Sequence, residues 1–427
     1  MSHIVGKSAY KSLEERLNRF PQGAPPSKTL YNILSILFSE KEAALVAQLP
    51  IKPFTVKKAA TIWKISEKEA KNILDTLASR AILIDIAQKG VQTYILPPPM
   101  AGFIEFSMMR TREDIDQKLL GELLYQYMNV EEDFIKDLFY SAETKLGRVF
   151  VNEDALEKTR IVENSISENT LDSLVQVLDY ERASYIIDTS EHMGISMCYC
   201  RHKMQHVGKA CDAPMDICMT FGNVANSLIN NGYARRVDKI EGKDLLQLAY
   251  DNNLVQCGEN VREGVTFICN CCGCCCEALV AAKKFGILHP VETTNFLPKI
   301  DQNTCVNCGK CFKICPVNAI KRVEDKYEVQ EELCLGCGVC ARGCFKNSIL
   351  LMPREKKILT PVNSVHRSVL MAIEKGTLQE LIFDNKALFS HRAMAAILGV
   401  ILKLSPVHKI MVSKQMKSIY LEKLLKN

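Results

Sequence analysis

The sequence predicts a multidomain α+β protein, and three observations predict it. All 19 cysteines of the 427-residue chain lie between Cys198 and Cys344. Before them, residues 28–98 combine helical periodicity with two strand-like runs; after them, residues 360–427 read as helices. A cysteine-bearing centre with cysteine-free wings divides the chain into residues 1–100, 101–297, 298–353 and 354–427. Hydrophobic residues make up 47% and charged residues 24%, an ordinary balance for a globular chain with room for about three domains.

Residues 1–100 carry the outline of a winged-helix-like domain. An apolar-periodic segment runs from Leu30 to Leu37, a short helix follows near Val56 to Trp63, and a third helix is opened by Ser66, with Glu69 completing a capping box. Ala70, Ile73, Leu74 and Leu77 recur at helical spacing on that helix. The runs Ala81–Ile86 and Val91–Leu96 flank Gly90 as a hairpin, and Pro97, Pro98 and Pro99 close the domain. The third helix mixes Glu67, Glu69 and Asp75 with Lys68 and Lys71, a balance that phosphate would repel. Duplex binding calls for clustered Lys and Arg, so a structural or protein-docking role is expected despite Lys57, Lys58 and Lys89.

Residues 101–297 form a cysteine-rich α/β middle domain. Leu119, Leu120, Leu123, Leu124 and Met128 make a stripe that reads as core. Residues 148–197 alternate short apolar runs, Arg148–Val151 and Tyr185–Ile187, with a helical pattern over Leu171–Leu178. Eleven cysteines then fall between Cys198 and Cys276. Both ends of this stretch lie where a predicted strand (Gly194–Met197; Val265–Ile268) meets a loop. The second loop runs into a helical pattern over Glu277–Phe285, whose N-terminus would offer free N–H groups to an anionic centre. Six cysteines within eight residues, 269–276, cannot all point inward from one strand or one helical stripe. Cys198, Cys200, Cys211, Cys218, Cys269, Cys271, Cys272, Cys274, Cys275 and Cys276 are therefore candidate metal ligands. Zinc through Cys198, Cys200, Cys211 and Cys218 is the less favoured reading beside a further iron–sulfur centre. Adjacent cysteines diverge at Cβ, so surplus thiols are expected, which could bind a second cluster or exchange with a disulfide. Arg201, His202, Lys203 and His206 read as a solvated basic loop screening the site's charge.

Residues 298–353 hold two runs of C-x2-C-x2-C-x3-C, Cys305-Cys308-Cys311-Cys315 and Cys334-Cys337-Cys340-Cys344. Three thiolates at this spacing wrap one cubane while the fourth reaches the neighbouring one, which implies two [4Fe-4S] clusters with crossed ligation. One is held by Cys305, Cys308, Cys311 and Cys344, the other by Cys334, Cys337, Cys340 and Cys315. Zinc would more often use two separated C-x2-C pairs. Gly309 and Gly338 follow the second cysteine of each run, where a missing side chain lets backbone N–H groups approach. The segments Cys305–Ile320 and Cys334–Ile349 resemble the two halves of a bacterial-type 2[4Fe-4S] ferredoxin, including Pro316 after the fourth cysteine. Phe345 stands where the second half would repeat that proline. The region Cys198–Cys276 as a whole is similar to large ferredoxin-like proteins of anaerobic microbes, and Cys271-Cys272-Gly273 resembles the CCG motif of heterodisulfide-reductase-type subunits.

In the C-terminal helical segment, seven Lys or Arg against one acid between His391 and Asn427 could, beside Ile397, Leu398 and Ile401, make an amphipathic surface for a membrane or an acidic partner. The alternative is a solvated face of a packed cap. The start, MSHIVGKSAYKSLEERLNRF, has no signal-peptide core, and the apolar run Ala393–Leu402 is too short for a transmembrane segment. A cytoplasmic protein of an anaerobe is the expectation. No GxGxxG or P-loop occurs, so no nucleotide accompanies the metal. The favoured function is low-potential electron transfer to a redox protein or oxidoreductase subunit. The alternatives are an iron–sulfur reductase working at Cys198–Cys276 and a redox-responsive winged-helix regulator.

Overall fold

The structure, a computed structural model, describes residues 2–88, 90–163, 179–355, 358–384 and 389–403. Helix and sheet are mixed throughout, and the chain forms two compact units. The first comprises Met1–Thr144, Ser227–Ala234 and Ser364–Asn427; the second comprises Lys145–Asn226 and Arg235–Asn363.

The first unit begins with α1 (Ser2–Leu17), α2 (Lys28–Leu37) and α3 (Glu40–Val46). Ser39 and Glu42 form a reciprocal capping box at α3, and Ser27 caps α2. The short strand β1 (Phe54–Thr55) leads into α4 (Val56–Trp63), which Thr55 caps. Ser66 accepts from the Glu69 N–H to open α5 (Glu67–Ser79), which buries Ala70, Leu74, Leu77 and Ala78. The predicted strand from Ala81 begins later. Ile82 and Ala81 donate back to Leu77 and Ala78 as the helix ends, with Ala81 left-handed at φ 54°, so residues 80–83 serve as a helix terminus. β2 (Ile84–Gln88) and β3 (Val91–Ile95) then form a hairpin about Gly90, giving an antiparallel sheet of order β1-β3-β2. Phe54 stacks on Tyr94 across it.

Of the predicted leucine stripe, Leu120, Leu124 and Met128 are fully buried, whereas Leu119 is 44% exposed. Their spacing of four keeps them on one side of α6 (Gln117–Tyr125) and its continuation, and Leu119 falls off that side. Tyr127 stacks on Phe134 of α7 (Asp133–Tyr140). Helices over Ser364–Glu374, Leu378–Ile382 and Phe389–Lys403 complete the unit around Val369, Ala372, Ile373 and Leu378. Most of the basic segment, the helical pattern Leu171–Leu178 and Lys89 lie outside the described residues.

The second unit is built on a six-stranded sheet. Its strands are β4 (Gly147–Val149), β5 (Met193–Met197), β6 (Asp216–Phe221), β7 (Arg235–Arg236), β8 (Val255–Glu259) and β9 (Phe267–Cys271), in the order β4-β8-β9-β6-β5-β7. All its pairings are antiparallel. α8 (Glu153–Glu163), α9 (Ala183–Thr189), α10 (Tyr199–His206), α11 (Lys239–Asp251) and α12 (Glu277–Lys284) accompany it. The short apolar run Tyr185–Ile187 lies in α9, where Ile186 and Ile187 join Met193, Ile195 and Phe221 in the core. The sheet also carries cysteines further than expected, because β9 continues through Cys271.

Residues 296–353 add a compact cysteine-bearing module. β10 (Phe296–Ile300) pairs with β13 (Ile349–Pro353), and β11 (Ile320–Val323) pairs with β12 (Lys326–Val329). Two short helices, α13 (Lys310–Ile314) and α14 (Val339–Gly343), follow the two cysteine loops. Phe296, Ile320, Cys340, Ala341, Ile349 and Leu351 share one core with Val151, Ala155 and Leu156 around α8. Arg342 ties the module down through Asp154, Asp251 and the Tyr250 carbonyl.

Candidate metal centres

The two runs of residues 305–344 fold as near copies of each other. Asn307, Gly309 and Asn318 in the first, and Gly336, Gly338 and Asn347 in the second, all adopt left-handed backbone at φ 52–83°. These positions turn the loop so that successive thiols face one point, and glycine or asparagine tolerates the conformation. Gly336 is further constrained, since a Cβ there would sit 2.2 Å from the Phe296 carbonyl oxygen.

Cys305, Cys308, Cys311 and Cys344 line one cavity, with Ile300, Tyr327 and Phe345 among its walls. The remaining four gather apart from them. Burial pushes Cys334 up to about 11, and the neighbouring Cys315 thiol adds to it. Burial likewise raises Cys337 and Cys340, both of which also feel Cys334 and Cys315. The Ala319 N–H donates to Cys315 Sγ at 3.2 Å and the Gly336 N–H to Cys334 Sγ at 3.4 Å. Thiols crowded into such low-dielectric pockets resist ionising on their own. A cationic metal framework offsets that cost, and the backbone N–H groups already aim at sulfur.

The eleven cysteines of 198–276 form two groups, divided by the alternation of a strand. On β9, Cys269 and Cys271 share one face, and the side chain of Asn270, between them, bonds Gln256 and the Ile217 carbonyl. Cys269 lies opposite Cys257 on β8. On the other side the register Met219↔Ile268 brings Cys218 of β6 next to Cys269, and the two thiols touch. A row of three thiols thus crosses three strands. Cys218 also meets Cys198, Cys198 meets Cys200, Cys200 meets Cys276, and Cys276 meets Cys271, which returns to Cys269. Six thiols close a ring, and Cys257 joins it through Cys271.

Around this ring, contact with neighbouring thiols holds Cys198, Cys269 and Cys276 below their ordinary range, with Cys269 lowered to about 5. The intervening Cys200, Cys218 and Cys271 are raised by the same contacts. Cys198 and Cys276 are the N-cap residues of α10 and α12. N–H groups of the first turns, from Arg201 on one side and Leu279 and Ala278 on the other, point at their sulfurs. Two helix ends therefore turn their positive dipoles toward one ring.

The second group is Cys211, Cys272, Cys274 and Cys275, whose sulfurs all lie within 4.8 Å of one another. Residues 198–218 and 269–276 meet in two places, and Cys211 parts from Cys198, Cys200 and Cys218. Cys271 and Cys272 go to different groups, as do Cys275 and Cys276. Cys257 is absent from the ligands expected from the sequence; the β8–β9 pairing enrols it, setting it opposite Cys269 and against Cys271.

Arg201, His202 and Lys203 are buried, at 0%, 5% and 0% exposure, so the expected solvated basic loop is instead a helix in the interior. Burial opposes the Arg201 charge, but Cys198, Cys272, Cys271 and Cys218 together hold the guanidinium above its ordinary value. It donates to the Pro214 and Asn270 carbonyls and faces both thiol groups. Lys203 pairs with Glu277, joining α10 to α12. His202 and His206 meet at 3.1 Å through their Nε2 atoms.

The ferredoxin-type module and the ring are neighbours. Cys257 is among the thiols whose charge raises Cys337. Gly273 lies so close to Pro316, the residue after Cys315, that a Cβ would come within 2.4 Å of its carbonyl oxygen.

Residues 298–351 match the family model for a 4Fe-4S dicluster domain. This part of the chain is a ferredoxin-type 4Fe-4S module, and together with the cysteine groups beside it marks an iron–sulfur protein suited to electron transfer. No curated protein and no solved structure matches the chain. Among the described residues, no helix is long and apolar enough to cross a membrane.

Proposed function

We propose that the chain is a multicluster iron–sulfur protein that passes single low-potential electrons between a donor and an oxidoreductase partner. In this reading Cys305, Cys308, Cys311 and Cys344 hold one cubane, and Cys334, Cys337, Cys340 and Cys315 hold the other. The thiol ring of Cys198, Cys200, Cys218, Cys257, Cys269, Cys271 and Cys276 carries a further iron–sulfur centre. Such clusters, when bound, supply one-electron chemistry at potentials set by burial and N–H···S bonds. The observation that carries the proposal is the placement of Cys257 beside Cys337: Cys257 pairs with Val149 of β4, and three residues on the Asn152 N–H donates to the Cys337 carbonyl at 2.9 Å, which sets the ring beside the inner half of the ferredoxin-type module. The chain's own residues bury the thiols, aim backbone N–H groups at them and place Arg201 against their charge.

Iron and acid-labile sulfide counted on anaerobically purified protein test this. About twelve or more irons per chain, with matching acid-labile sulfide, is the expected result, since eight of each saturate a two-cubane module. About eight sulfides or fewer would remove the ring as an iron–sulfur centre.

A second reading, in which the ring is the catalytic site of a reductase, is favoured by its seven thiols, which exceed the four that close a cubane. An open iron would show as a spectral shift when a small thiol or disulfide is added, whereas a closed relay would be indifferent. For the winged-helix-like part of the first unit we propose a docking role. On α5, Lys71 is paired with Asp75 among acidic neighbours, and a gel shift should show only weak, sequence-indifferent binding of duplex DNA.

A further inference from the structure

We propose that Cys211, Cys272, Cys274 and Cys275 hold a single tetrahedrally coordinated metal ion, zinc or iron, rather than a cluster. The inference rests on the reading of the second cysteine region as metal-bearing and concerns how many ions this part of it takes. Cys211 Sγ lies 3.6 Å from Cys272 Sγ and 3.8 Å from Cys275 Sγ, and Cys275 Sγ lies 3.8 Å from Cys274 Sγ. A metal–sulfur bond of about 2.3 Å in a tetrahedron separates its sulfurs by about 3.8 Å. Thiolates on four different irons of a cubane are thrown outward from four corners and stand roughly 6 Å apart. The observed spacing is that of one ion.

The molecule supplies its own comparison. Among the described residues, no other group of three or more ligating side chains lies within 4.8 Å of one another, and the eight cysteines of the ferredoxin-type module are included in that statement. Those eight form no such group, and neither do the ring thiols, where Cys271 meets Cys257, Cys269 and Cys276 without the three closing on one point.

The backbone suits the same coordination. Cys272 and Cys275 form a C-x2-C turn, closed by the Cys276 N–H donating to the Cys272 carbonyl. Cys274 adds a third thiol from the same turn, and Cys211 the fourth from the loop between α10 and β6. The resulting clip would fasten that loop to the 272–275 turn where Gly273 packs on Pro316. Iron there would be a one-electron centre of the rubredoxin kind, and zinc a purely structural one.

The test compares the full chain, purified anaerobically, with its Cys274→Ser variant, which alters the most exposed ligand. Zinc, iron and acid-labile sulfide are counted in both. The expected result is loss of about one zinc or about one iron per chain with no loss of sulfide, and which metal disappears identifies the ion. Loss of about four irons with matching sulfide would overturn the proposal, as would an unchanged metal content in both proteins. Should the variant fail to fold, the unaltered chain decides when produced with added Co2+. A single tetrathiolate site gives the intense visible bands of tetrahedral cobalt at about one equivalent, and their absence counts against the site. The iron and sulfide of the other centres are read in the same samples, so this inference and the broader function fail separately.

Discussion

Lys203 and Glu277 show how single residues support the ring without belonging to it. Both are buried, at 0% and 2% side-chain exposure, and each is the other's counter-charge. Removing one partner strands a buried charge, which costs about 3–5 kcal/mol, whereas replacing both by apolar residues of similar size is often close to neutral. Lys203→Met alone should therefore lower the unfolding midpoint sharply, and Lys203→Met with Glu277→Leu should recover most of the loss. Equal stability of the single variant and the parent, followed by thermal denaturation under anaerobic conditions, would show that the pair does not bind α10 to α12. This pairing was not legible in the sequence. Lys203 sits amid Arg201, His202 and His206 in a stretch that reads as a solvated basic loop, and only the partner 74 residues away reveals a buried one.

At the scale of elements, what sequence shows best is what repeats locally. The two C-x2-C-x2-C-x3-C runs, α4, α5 and the hairpin about Gly90 depend on short-range spacing and capping, and the structure places them within a few residues of expectation. The thiol ring depends on strand register instead. Cys257, Cys269 and Cys218 adjoin because β8, β9 and β6 are neighbours in one sheet, an ordering that no local pattern announces. The division of residues 269–276 between two groups is half visible: Cys271 and Cys272, and Cys275 and Cys276, diverge as adjacent cysteines are expected to, whereas Cys274 and Cys275 stay together at 3.8 Å. Crossing within the ferredoxin-type module makes a prediction at this scale. Cys344→Ala should damage the cluster proposed for Cys305, Cys308 and Cys311, because Cys344 shares their cavity although it lies nearer in sequence to Cys340. Spectra that instead lost only the signals of the Cys334, Cys337 and Cys340 cluster would reverse the assignment.

For the whole molecule, metal loading decides the sign of the charge. The formal net charge of +5 counts every cysteine as neutral. A [4Fe-4S] cubane with four thiolates carries about −2 when oxidised, so two of them bring the chain from +5 to about +1. A divalent ion in a tetrathiolate site contributes about −2 more, and a centre in the ring lowers the total again. A chain carrying all the proposed centres would thus be neutral to acidic although its sequence pI is about 8.3. Net charge governs long-range steering, so the loaded chain should meet redox partners through local contacts, with electron-transfer rates that depend only weakly on ionic strength. The charge balance itself can be read by native isoelectric focusing under anaerobic conditions. The purified protein should focus well below 8.3, and stripping its metals with a chelator under denaturing conditions should return it to the value of the bare sequence. A native band already at the sequence value would mean that the thiols are uncharged and the proposed centres are not filled.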